Sequence, residues 1–219
     1  MFKFKVMLQT RLIVLCVSIL LGGIPHLYPQ VQAQELPSAE QSKWITIADG
    51  YYGYSFQVPA AWHKEMGVTP DRWVFYSDPT VVTKELSPAA LPQGLIKMDF
   101  AADPVGHWLP EPKVRDPAID KRGMATSEEL LPLLPPGTWT TVSGQPALIV
   151  REKIDDGDGP FVEGTSVIIL ADRMIYYLWV AYAPPTGTNQ EAAARFKTAY
   201  DQILSRILNS FVISSPGGQ

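Results

Sequence analysis

Between Tyr52 and Val58 the chain alternates. Tyr52, Tyr54, Phe56 and Val58 fall on one side of an extended backbone, and Gly53, Ser55 and Gln57 on the other. A period of two marks a strand with one face in a core. Residues 44–47 alternate in the same way, and Asp49-Gly50 supplies turn chemistry between the two segments, so a hairpin is predicted. Pro59 ends its second strand, and Trp62 follows. Residues 72–76 make a third strand, with Trp73 and Phe75 opposite Val74 and Tyr76. Residues 94–101 make a fourth, with Leu95, Lys97 and Asp99 opposite Ile96, Met98 and Phe100.

Downstream, Thr126 and Glu129 have capping-box spacing and open a short helix that Pro135-Pro136-Gly137 stops. The β-branched run 138–142 turns at Gly144-Gln145 into a strand over 147–154. Two more strands, 161–170 and 174–183, are joined tightly at Asp172-Arg173. Residues 175–180 are apolar on both faces, which places that strand at the centre of a sheet. The period then changes. Thr188 and Glu191 again have capping-box spacing, and Phe196, Tyr200, Ile203, Ile207 and Leu208 form one helical stripe. Phe211 and Ile213 are expected to fold the end back onto the sheet. The fold class is therefore α+β, an antiparallel β-sheet with flanking helices.

The first residues follow another logic. Lys3, Lys5 and Arg11 precede a short apolar run, 12–24, and Val31-Gln32-Ala33 offers a cleavage site, so residues 1–33 read as a secretory signal peptide. The run is too short to span a bilayer, which needs roughly 20 apolar residues. There is no Arg-Arg pair, so the general secretion route fits best. Residues 34–43 read as a flexible lead-in, 44–213 as a single domain and 214–219 as a disordered tail. The expected location is secreted, periplasmic or otherwise extracytoplasmic, without stable membrane insertion after cleavage.

Cleavage would change the composition. The chain has 18 basic and 22 acidic residues. Losing Lys3, Lys5 and Arg11 leaves 15 against 22, a net −7. That balance argues against nucleic acid as a partner, which wants basic patches. Cys16 is the only cysteine and leaves with the signal, so the mature domain forms no disulfide.

Candidate chemistry is sparse. His63 and His107 lack a second histidine at ligand spacing. His107 has Asp99 and Asp103 as its possible neighbours in a metal reading. Asp155-Asp156-Gly157-Asp158-Gly159 has the acids of a calcium loop without its closing glutamate, and reads as a hairpin turn. No nucleophile elbow or phosphate-binding glycine motif is present. Catalytic, cofactor and metal residues are therefore none, and no cofactor is expected. Of the six tryptophans, Trp44, Trp62, Trp73, Trp139 and Trp179 lie in or beside strands, where core packing is the default. Trp108 lies in a Pro-rich stretch, 102–123, and is the one placed to reach solvent. With His107 it is the candidate for a partner contact.

Gly53-Tyr54-Ser55-Phe56-Gln57-Val58-Pro59-Ala60-Ala61-Trp62 resembles the opening hairpin of PsbP-type domains, the photosystem II oxygen-evolving enhancer family. Val142-Ser143-Gly144-Gln145-Pro146-Ala147 is similar to the β-turn-β of the same group, and Ser210-Phe211 to the Ser-Phe pair that ends its final helix. The order of elements matches over nearly the whole chain after residue 33. The resemblance implies an α-β-α sandwich and a non-catalytic role. The expected function is thus an exported binding or accessory protein for a protein or other envelope component. The alternatives are an extracytoplasmic hydrolase or metal-dependent enzyme, and a carrier of a small ligand or metal.

Overall fold

The predicted first hairpin forms from β1 (Trp44–Asp49) and β2 (Tyr54–Pro59), paired antiparallel with Ile47 opposite Phe56. The Asp49 carboxylate accepts the backbone N–H groups of Tyr51 and Tyr52 at 2.8 and 3.1 Å and so closes the turn. The computed structural model describes residues 43–67, 71–78, 91–108, 126–154, 162–184 and 190–214. The signal segment, the lead-in up to residue 42, the tail after 214, the acidic turn 155–160 and Thr188 lie outside them.

A second, larger sheet follows. Its strands are β3 (His63–Met66), β4 (Arg72–Tyr76), β5 (Ile96–Pro104), β6 (Thr138–Val142), β7 (Gln145–Ile154), β8 (Val162–Leu170) and β9 (Met174–Tyr182). They lie in the order β3-β4-β5-β9-β8-β7-β6, and every neighbouring pair is antiparallel. β9 is central, as its two apolar faces require. The β6–β7 turn has Ser143 at φ 53° and Gly144 at φ 77°, the left-handed pair of a tight hairpin whose twist matches its strands.

Two expectations need correction, and one strand is added to those predicted. The polar run His63-Lys64-Glu65-Met66 has no strand signal of its own, and β3 pairs there along the edge that β4 offers. The short helix at Ser127–Leu133 is a 3-10 helix, and Pro132 inside it, whose ring would clash with the carbonyl four residues earlier, disfavours an α-helix there. Its start behaves as predicted, with the Glu129 carboxylate accepting the Thr126 N–H at 2.9 Å. The fourth strand runs on to Pro104, because β9 pairs with it as far as Met174.

One face of the large sheet carries the main core. The helix α1 (Gln190–Asn209) lays Phe196, Tyr200, Ile203, Leu204 and Ile207 on it. Beside α1 sits the small sheet, completed by β10 (Val212–Ile213), which pairs with β2. The three segments that carry the PsbP resemblance meet at this junction. Ser210 Oγ donates to the Ile207 carbonyl and accepts the Gln57 N–H, both at 2.8 Å. Ser143 Oγ accepts the Ile213 N–H at 3.0 Å. The Phe211 ring stacks on Phe56, centroids 5.4 Å apart and 3° from parallel. These motifs join the two sheets, so the residues of the resemblance report on architecture. The opposite, outer face is covered among the described residues by the 3-10 turn Val105–His107, the 3-10 helix Ser127–Leu133, and Leu91 and Leu95. The described molecule is α+β, sheet-rich and antiparallel, with its α-helix on one face.

Candidate functional site

Polar groups of the large sheet lie on both faces: Glu163 and Thr165 face α1, where they accept hydrogen bonds from the Tyr182 and Tyr200 hydroxyls at 2.6 and 2.9 Å, and a second set lies on the outer face. β5 presents Lys97 and Asp99 there, because side chains two apart on a strand share a face. Register sets Asp99 beside Trp179 on β9, Trp179 beside Ser166 on β8, and Gly164 beside Glu152 on β7. Lys97 is buried, and its ammonium reaches Asp99 at 2.9 Å and stands 5.6 Å from the Trp179 ring centroid. Asp99 keeps 31% of its side-chain surface accessible. Burial raises its pKa, and the Lys97 charge opposes that rise. Tyr177 lies 3.0 Å from Ser166 Oγ, and burial drives its phenol well above the ordinary value, with the Ser166 bond pulling the other way. Glu152 is raised by burial. Gly164 leaves room for the indole of Trp179, since a Cβ there would lie 3.2 Å from Nε1.

Apolar clusters wall this strip on both sides. Tyr76, Leu91, Leu95, Val162 and Ala181 lie toward one end, and Val105, Leu130, Leu148, Ile168 and Ile175 toward the other. Sequence parity put Lys97 and Asp99 on one face. It did not show that this face would be covered, because the covering segments have no regular period.

The predicted contact residues sit at the second end. His107 is exposed, 3.8 Å from Asp103, which Arg72 also approaches at 3.8 Å. Trp108 is half-buried and departs from the expectation of a solvent-facing ring. It packs 5.6 Å from the Tyr177 ring, and its indole N–H is buried with no partner among the described residues. Trp139 departs in the other direction. Expected in the core, it is 48% exposed, because β6 is the outer strand of the sheet.

His63 pairs with Glu65 at 2.9 Å on β3. It lies across β4 from Lys97, whereas His107 follows Pro104 at the other end of β5. The length of β5 between them is roughly 24 Å at about 3.4 Å per residue. The two histidines cannot share a metal ion. No group of three or more histidine, cysteine or acidic side chains is placed to hold one among the described residues. No helix among the described residues is long and apolar enough to cross a membrane.

The raised carboxyl of Glu152 gives a prediction. A carboxyl whose folded pKa lies above its unfolded value favours folding while protonated, and that contribution is lost as pH rises through the folded pKa. Glu152→Gln should therefore raise the thermal midpoint at pH 7. The gain should disappear as pH falls below the ordinary glutamate value of 4.5. Melting curves of both proteins across pH 3 to 8 check it; a pH-independent difference would contradict it.

No protein-family model and no curated protein matches the chain. Solved structures give loose likenesses. A protein of Bacteroides thetaiotaomicron superposes with a TM-score of 0.46 at 12% identity, over 82% of this chain and 51% of the other, so the chain spans about half that protein's length. LpqN of Mycobacterium tuberculosis, described as involved in cell envelope biogenesis, gives 0.39 at 13%, over 80% and 92%. The cyanobacterial PsbP (CyanoP) of Synechocystis sp. PCC 6803 gives 0.29 at 15%, over 89% and 99%. Each TM-score is below 0.5, and none of these proteins' roles is carried to this chain by them.

Proposed function

We propose that this chain is an exported, non-catalytic accessory module of the PsbP-like type, an α-β-α sandwich that binds a protein or other component of the cell envelope. One observation carries the reading. Two polar pairs of the outer face are closed, Lys97 on Asp99 at 2.9 Å and Ser166 on Tyr177 at 3.0 Å, and His63 and His107 lie well apart. A general acid or base must be free to reach a substrate proton. Groups paired in this way serve a framework. The contact would be made where that framework reaches solvent, at His107 beside the packed ring of Trp108.

Affinity capture from the native envelope fraction tests it. The unsubstituted protein should recover a discrete component, and His107→Ala and Trp108→Ala should each reduce recovery at least about fivefold while the fold is retained. Recovery unchanged in both variants would remove this contact site. Saturable turnover of an ester, peptide or glycoside by the purified protein would overturn the non-catalytic reading.

A further inference from the structure

The two outer strands of the large sheet are built differently. β3 carries Lys64 and Glu65, with His63 and Glu65 paired and the Lys64 ammonium 3.7 Å from the Trp73 ring centroid. Charges on an edge strand deter a second chain from adding to it. β6 has no such guard. It reads Thr-Trp-Thr-Thr-Val, four of its five residues are exposed, and no charged residue occurs from Leu130 to Val150. Among the described residues no strand pairs with its far side.

The register defines what that side offers. Val142 and Gln145 flank a two-residue turn and exchange the hydrogen bonds that close it. Bonded pairs alternate from there, so Thr140 and Thr138 turn their backbone groups to β7. Trp139 and Thr141 turn theirs outward. Pro146, opposite Thr141, fits this alternation, since it has no N–H to give.

We propose that β6 pairs antiparallel with β6 of a second copy of this chain, about a two-fold axis at Thr140. The strand is self-complementary in that register. Trp139 bonds Thr141 of the other copy and Thr141 bonds its Trp139, through the backbone groups that β7 leaves unused. Thr140 faces Thr140, and Trp139 lies across from a β-branched residue; both are favourable cross-strand pairs. Two copies meet there without like charges. This pairing is independent of the His107 and Trp108 contact, which lies beyond the end of β5.

The full chain carrying Cys16→Ser and Thr140→Cys has one thiol and tests the register. A non-hydrogen-bonded pair brings the two Cα atoms to about 4.5 Å, within the ~4.4–6.8 Å that a disulfide spans. Thr138→Cys in the same background is the control, its two copies separated by roughly 14 Å at about 3.4 Å per residue. Under mild oxidation the first variant should form a covalent dimer at least about tenfold faster than the second. Adding Trp139→Lys or Thr141→Pro should abolish the difference while circular dichroism stays unchanged. The unsubstituted chain should show a sedimentation mass that rises with concentration. Equal crosslinking at 138 and 140, a mass independent of concentration, or an edge filled only by a different protein would each overturn the proposal.

Discussion

Replacing Phe211 with alanine is expected to cost about 3–5 kcal/mol of folding stability, the usual range for emptying a buried aromatic site. Phe211 is 3% exposed and lies within 5.4 to 6.0 Å of the Phe56, Tyr176 and Phe100 rings, which come from β2, β9 and β5. It therefore ties the small sheet to the centre of the large one just past the end of α1. The neighbours are held by β-ladders and cannot collapse into the space, which puts the cost at the upper part of the range. Urea unfolding followed by far-ultraviolet dichroism measures it. A loss below about 1 kcal/mol would mean that the two sheets are joined by something else.

The second large effect is expected on the other face. Trp179→Ala should also cost about 3–5 kcal/mol. The indole is 5% exposed, lies over Gly164 and forms one side of the pocket that holds the Lys97 ammonium. Removing it opens a void beside the buried Lys97 ammonium. Trp139→Ala is the internal comparison: the ring is 48% exposed, and loss of it from the monomer should stay within about 0.5 kcal/mol. Equal losses at the two positions would contradict the assignment of outer-face burial.

What the sequence made legible follows from periodicity. β9 announced its central place by being apolar on both faces, and the stripe from Phe196 to Ile207 announced the face of α1 that meets the sheet. Phe211 was placed correctly because an aromatic just past a helix end has few other places to go. Features that depend on neighbours were not legible. β3 is polar and becomes a strand only because β4 supplies its hydrogen bonds. Trp139 reads like any strand tryptophan until its strand is known to be outermost. The Lys97–Asp99 pair has the spacing of an ordinary solvent-facing row, and only the irregular segments over it bury Lys97 and leave Asp99 partly accessible.

The PsbP resemblance has the same physical basis. Its motifs, Gly53 to Trp62, Ser143-Gly144 and Ser210-Phe211, converge where β2, β10 and the β6–β7 turn are stitched together. They specify a joint between sheets, which a binding module and an enzyme could both use. Function has to be read elsewhere, from the paired polar groups of the outer face and from the exposed His107 beside Trp108.

Photocrosslinking from position 107 in the native cells is the most direct measurement of that reading. A photoreactive residue replacing His107 should give a discrete adduct with one envelope component, and Trp108→Ala should suppress it while the same residue placed at the exposed position 139 does not yield that adduct. No adduct from position 107, or the same adducts from both positions, would contradict a binding role for this end of the sheet.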